Sequence, residues 1–193
     1  IVVINTNGQT IVDDPSIVCD TGIIDNGFGV MNSIHDPFND YNGKISIEYR
    51  GCSSQSFSKK PYAPETQDSI GNNNNVFLLG MPVENDWILY APYSDKALMR
   101  NFLTFDLGRK MGRYSPRTVY CELVVNGDYK GIYILMEKIK RDNDRVDIAK
   151  LDLDDIAGDS LTGGYIIKVD KYTGTGGTDW LSDFPNISGG SLY

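Results

Sequence analysis

Apolar and polar positions alternate most clearly in "GKISIEYRG". Ile45, Ile47 and Tyr49 share one face, while Ser46, Glu48 and Arg50 share the other. A period of two predicts a half-buried strand. Upstream, the short apolar runs "IVVI" and "TIV" flank Asn7-Gly8, a pair that tolerates positive φ and predicts a hairpin. A further short strand is expected in "SIVCDTGIID", followed by a polar, irregular stretch from Asn32 to Asn42. Downstream, "SFSKKPYAPET" is extended, but Pro61 and Pro64 cannot donate to a ladder, which predicts an edge or irregular strand.

The pattern changes period in "YSDKALMRNFLTFDLGRKMG", which predicts a helix over 94–112. Ser94 is placed to cap it and Asp95 to face its positive end. Ala97, Leu98, Phe102, Phe105 and Leu107 give an apolar face, and Gly112 gives a stop. "TVYCELVV" and "YKGIYILMEKI" then flank "NGD", the strongest hairpin signal in the chain. A charged connector, "KRDNDRVDIAKLDLDD", leads to a last predicted strand, "GGYIIKVDK", and to a Gly/Thr/Ser-rich segment over 172–193. The fold expected from this order is α+β, a mainly antiparallel sheet with one principal helix, ordered like the small lobe of a protein kinase.

Composition narrows the function. The 193 residues are 40% hydrophobic, enough for one core, and carry a formal net charge of −8. That charge argues against nucleic acid or an anionic membrane as a general partner, and no apolar run is long enough to span a bilayer. Cys19, Cys52 and Cys121 lie far apart and His35 is the sole histidine, so neither a zinc site nor a histidine-based triad is expected. One disulfide and a free thiol are compatible with an exported protein. Asn186-Ile187-Ser188 is a glycosylation sequon, meaningful in an exported eukaryotic protein. The chain opens inside an apolar run, "IVVI", as a processed product or a piece of a longer protein would.

Against this acidic background, "EYRGCSSQSFSKKPYAPET" gathers three cations around a serine-rich turn. Arg50, Ser53, Ser54 and Gln55 offer a guanidinium, hydroxyls and main-chain N–H groups, and Lys59 or Lys60 follows on the next strand. That set suits the oxygens of a triphosphate. The spacing is not that of a Walker loop, and the lysines equally fit charges that protect a strand edge. Arg100, set among apolar neighbours, suits phosphate or a sheet carboxylate. Glu137, at the strand end in "LMEKI", suits either a hinge beside adenine, with contacts from Met136 to Lys138, or a pair with Lys138 or Arg141. Lys168 in "YIIKVD" points either into a cleft or to solvent. The aromatic groups in "DWILYAPY" and "DYKGIYIL" admit sugar stacking or core packing.

Four ordered segments together resemble the CotH (spore-coat H) kinase family. They are "IEYRGCSSQSFSKKPYAPET", "GMPVENDWILYAPYSDKALMRNFLTFDLGRKMG", "CELVVNGDYKGIYILMEKIKRDNDRVDIAKL" and "GGYIIKVDK". The resemblance covers 1–171 and implies the N-terminal, nucleotide-cradling part of an atypical kinase that phosphorylates Ser or Thr on exported proteins. It implies ATP and Mg²⁺ or Mn²⁺ as cofactors, an unidentified protein substrate, and an extracellular or cell-surface location. It also implies that the catalytic and metal-binding acids lie beyond the "GGYI" strand, in a C-terminal lobe absent from this chain. No catalytic or metal residue is then expected within residues 1–193, and the isolated piece is expected to be inactive. Members of the family also act as surface adhesins, so an interaction module without catalysis is the alternative.

Overall fold

The computed structural model describes residues 1–166. Nine strands and two helices lie among them. They are β1 (Val2–Asn5), β2 (Ile17–Ile23), β3 (Tyr41–Tyr49), β4 (Tyr62–Gln67), β5 (Val76–Leu78), β6 (Met81–Glu84), β7 (Trp87–Tyr90), α1 (Arg100–Lys110), β8 (Thr118–Val125), β9 (Asp128–Glu137) and α2 (Asp159–Thr162). The chain divides into two units. Ile1–Ile139 with Asp144–Val146 contains the strands and α1, while Lys140–Asn143 with Asp147–Tyr193 contains α2. The predicted strand "GGYIIKVDK" lies mostly outside the described residues, and the segment 172–193 wholly so.

The first unit is a closed barrel in the order β1-β2-β3-β4-β7-β9-β8, with β5 and β6 forming a separate ribbon. This corrects the expected α+β fold: the described chain is mostly β, and its sheet closes on itself. Closure comes from β1, which pairs antiparallel with β2 and parallel with β8, Val3 lying opposite Val124. An open sheet would leave two unpaired edges, whereas a barrel leaves none.

The interior follows from alternation. Ile45 and Ile47 of β3, Leu89 of β7, Leu123 of β8 and Leu135 of β9 are all buried in one cluster, as the period-two reading of β3 requires. β4 is not an edge, since it pairs with β3 throughout and with β7 at Tyr62↔Leu89. Pro64 fits because the β7 side is sparsely bonded there, so its missing N–H breaks no ladder.

Both Asn-Gly turns form, with Asn7 at φ 54° and Gly8 at φ 82°, and Asn126 at φ 54° and Gly127 at φ 79°. The second closes the predicted β8–β9 hairpin, with Val125 opposite Asp128. The first turns the chain, but β1 then pairs with β2 rather than with "TIV". Residues 10–12 instead pass beside β3, where Val12 O accepts from the Tyr49 N–H at 2.8 Å.

The helix starts later than its apolar spacing predicts. Leu98 sits at φ 59°, which no helix continues through. Residues 95–99 form a lead-in turn instead. Asp95, not Ser94, serves the helix start, its carboxylate accepting the N–H groups of Arg100 at 2.7 Å and Ala97 at 3.1 Å. Phe102 and Phe105 pack on Ile88, Ile134 and Met136, the outward-facing residues of β7 and β9. Ala97 and Leu107, expected on the same apolar face, are exposed.

Candidate functional site

Residues 50–61 join β3 to β4 as a closed loop, its base fixed by the Arg50 N–H donating to Pro61 O at 3.0 Å. Ser53–Ser56 form a single 3₁₀ turn within it. Gly51 enters this turn at φ 93°, and a Cβ there would stand 2.1 Å from Ser54 Oγ. Only glycine meets both conditions. Gln55 braces the loop from inside, its Nε2 donating to Asp13 Oδ1 and Gly51 O, both at 2.6 Å. Among the described residues, the hydroxyls of Ser53 and Ser54 donate no hydrogen bond.

The two lysines lie against a row of tyrosines. The rings of Tyr49 and Tyr62 are 5.6 Å apart, and those of Tyr62 and Tyr133 are 6.1 Å apart. Lys59 Nζ stands 4.6 Å from the Tyr133 ring centre, and Lys60 Nζ stands 6.0 Å from that of Tyr49. The row is therefore flanked by one ammonium group at each end. Tyr133 also donates its hydroxyl to Lys60 O at 2.9 Å, so the ring that carries Lys59 also holds the backbone of Lys60. Burial pushes the Tyr62 hydroxyl up to about 12 and raises that of Tyr133 further, so both rings stay neutral.

Each lysine rests on a main-chain carbonyl. Lys59 Nζ donates to Ile132 O at 2.5 Å, and Lys60 Nζ donates to Gln55 O. Among the described residues neither forms an ion pair with a carboxylate. Burial lowers the Lys59 pKa below its ordinary value, because carbonyl dipoles and a ring face replace water incompletely.

The remaining candidates lie elsewhere. Arg100 opens α1 with a largely exposed side chain, 3.5 Å from Asp95, so its carboxylate partner is on the helix lead-in rather than on the sheet. Glu137 is fully buried and bound to Arg117. Its two carboxylate oxygens take the Arg117 N–H at 2.8 Å and Nη1 at 2.7 Å. The backbone near it is also engaged: the Glu137 N–H donates to Arg117 O at 3.2 Å, and Lys138 O accepts from Arg145 at 2.7 Å. Lys168 lies outside the described residues. Lys60 is thus tied to the loop 50–61 through Gln55 O and Lys59 to β9 through Ile132 O, while Arg100 and Glu137 belong to separate constellations.

Trp87 is buried in the core, Tyr90 packs beside Phe102 and Phe105, and Tyr93 stacks on Phe57 at 4.9 Å. The three cysteines are free thiols, with Cys19 and Cys121 buried and Cys52 exposed.

Arg145 is the structural residue that the sequence pattern hides. It reads as one charge in a polar connector, yet its side chain is buried. The guanidinium lies 5.3 Å from the Trp87 ring and donates to Asp86 O at 2.8 Å and to Lys138 O. Its position inside "NDRVD" carries no signal of this. The apolar Val146 beside it, isolated in a charged run, is the faint one.

No described group of three or more His, Cys, Asp or Glu side chains is placed to hold a metal ion. At the loop itself the donors are two ammonium groups and the hydroxyls of Ser53 and Ser54, a set that suits an anion.

The family model described as CotH kinase protein matches residues 47–188, and the chain belongs to that family. Inner spore coat protein H of Bacillus subtilis (strain 168) is 30% identical over 95 residues, which are 49% of this chain and 24% of that protein. The matched region thus spans about a quarter of that relative's length. No described helix is long and apolar enough to cross a membrane.

Proposed function

We propose that this chain is the nucleotide-holding part of a CotH-type protein kinase, with the loop 50–61 as the seat of the ATP phosphates. One observation carries the reading. In a chain of net charge −8, Lys59 and Lys60 are held at the two ends of a tyrosine row, on carbonyls and ring faces, without an acidic partner among the described residues. A cation desolvated in this way gains most from an arriving anion. The hydroxyls of Ser53 and Ser54 stand on the adjoining turn as donors to the same oxygens.

On this reading the lysines leave their carbonyls for phosphate oxygens, and the Gly51 turn fixes the distance between hydroxyls and cations. Holding the triphosphate still supplies the positioning on which phosphoryl transfer depends. On this reading acids elsewhere in the complete polypeptide would hold Mg²⁺ or Mn²⁺ and serve as the base for the Ser or Thr hydroxyl. The relative's name places it in the inner spore coat, and we assign the present protein to a comparable coat or surface layer.

The test is phosphate transfer from γ-labelled ATP by the complete polypeptide, with Mg²⁺ or Mn²⁺ present. Label should appear on the protein or an added acceptor and vanish when Lys59 and Lys60 are both Ala. A folded polypeptide that transfers no label would make the domain an interaction module that keeps the fold without the chemistry.

A further inference from the structure

Two exposed apolar surfaces of the barrel unit lie outside the lysine site and carry opposite charge. The first is the loop between β2 and β3, which precedes the residues matched by the family model. Its backbone is laced by its own polar side chains. The Asp25 N–H donates to Asn39 Oδ1, the Asn26 N–H to Asn32 Oδ1, and Asn26 Nδ2 to Asp36 Oδ2, each at 2.8 Å. This framework presents Phe28, Val30, Met31 and Ile34 to solvent, with Phe28 and Met31 almost wholly exposed. Residues 1–43 contain six Asp and no Lys or Arg.

The second surface is the outer face of α1. Met99, Leu103, Leu107 and Met111 recur every four residues and are between 43% and 69% exposed, forming one stripe with no partner among the described residues. Residues 94–117 contain six cations against two acids. Arg100 and Lys110 are mostly exposed beside the stripe, even with their pairs to Asp95 and Asp106.

Topology sets these surfaces apart. α1 packs on β7 and β9, whereas the loop leaves β2, and at least two strands separate β2 from β9 in either direction around the barrel. One chain cannot lay its own loop on its own α1 stripe.

We infer that the apolar, acidic loop 25–40 of one copy docks on the apolar, basic face of α1 of a second copy, giving head-to-tail assembly. Shape and charge both argue for a second copy: the loop is an apolar strip rimmed by acids, and the α1 stripe is rimmed by an excess of cations. The internally bonded loop is preorganised, which lowers the cost of docking. A contact between two different faces is heterologous and leaves a free loop and a free α1 at the ends, so it propagates. The inference is independent of the lysine site and stands or falls apart from it.

Sedimentation velocity of the chain tests it, with two surface variants. Phe28→Ser/Met31→Ser alters the loop tip, and Leu103→Glu/Leu107→Glu alters the stripe; all four side chains are exposed, so the barrel keeps its fold. The wild type should sediment faster as its concentration rises, and less so in high salt. Each variant alone should be monomeric. An equimolar mixture should form a one-to-one dimer that grows no further, because only one complementary pair of faces survives. A wild type that stays monomeric to its solubility limit overturns the inference. So does association that persists in either variant, or a mixture that fails to dimerise.

Discussion

Thr6 and Asn126 are locked together across the barrel seam. The Thr6 N–H donates to Asn126 Oδ1 at 2.8 Å, and Asn126 Nδ2 donates back to Thr6 Oγ1 at 3.0 Å. The Asn126 N–H adds a third bond, to Ile4 O at 2.9 Å. Two residues 120 positions apart thus tie the first turn of the chain to the β8–β9 turn, where β1 runs parallel to β8. Thr6 is buried, so these bonds are shielded from water.

Thr6→Val should therefore cost about 1–3 kcal/mol, because it strands the Asn126 amide beside a methyl group. Asn126→Gly separates the two roles of Asn126: glycine adopts φ 54° freely but has no amide, so the loss reports the seam bonds without turn strain. Urea denaturation with an unchanged slope checks both variants. A midpoint equal to that of the wild type would mean the seam is held by strand pairing alone.

Glu137 and Arg117 form the second lock. Glu137 is fully buried while Arg117 remains partly exposed. Glu137→Ala should destabilise by on the order of 3–5 kcal/mol, the range for breaking a buried pair. Arg117→Ala added to it should cost much less than when made alone, and a double-mutant cycle measures the coupling. Additive losses would show that the two side chains act independently.

Acid should weaken the α1 lead-in. The N–H of Arg100, more than any other neighbour, holds the Asp95 carboxyl below its ordinary value of 3.8. The folded chain thus releases this proton more readily than the unfolded chain. The stability it contributes is complete above the unfolded value and is lost as pH falls through the lowered folded one. In Asp95→Asn that part of the acid limb should disappear from a plot of melting temperature against pH. An unchanged acid limb would assign the sensitivity to other carboxylates.

The lysine pair gives a signature at high pH. Lys59 has its pKa lowered by burial, and an anion bound beside it stabilises the charged form. Affinity for ATP should fall as pH rises through the lowered Lys59 value, earlier than for an ordinary lysine. Lys59→Arg, which keeps its charge, should flatten this decline. A flat profile in the wild type would remove Lys59 from the site.

Part of the local geometry of this fold was written plainly in the sequence, and the long-range geometry was not. Asn126-Gly127 specified its own turn because both residues accept positive φ, and alternation in β3 put Ile45 and Ile47 inward. Closure was hidden, since an open sheet and a barrel share the same period of two. What decides between them is the β1–β8 seam, made by residues more than a hundred positions apart. The start of α1 was overestimated because Ala97 and Leu98 have helical spacing, while the left-handed turn at Leu98 leaves no mark in composition.

At the candidate site, the cluster of Arg50, Ser53, Ser54, Lys59 and Lys60 was visible as a charge anomaly. The tyrosine row beneath it was not, because Tyr133 comes from β9, which reaches Tyr62 of β4 only across β7. Glu137 stood at the end of an apolar strand, where a hinge or a pair with Lys138 or Arg141 fitted, and Arg145 resembled one charge in a polar connector. Their burial depends on Arg117 and Trp87, partners that no local pattern names.

The most direct test of the phosphate seat is calorimetric titration of ATP, and separately of pyrophosphate, into the chain and into Lys59→Ala, Lys60→Ala and the double variant. Charge-assisted hydrogen bonds of about 1.5–3 kcal/mol correspond to about 10- to 150-fold in affinity for each lysine that contacts phosphate. The account predicts saturable binding by the wild type, a loss of that order in at least one single variant, and no measurable binding by the folded double variant. Equal affinity in the wild type and the double variant would contradict it and return Lys59 and Lys60 to being solvated caps on a row of tyrosines.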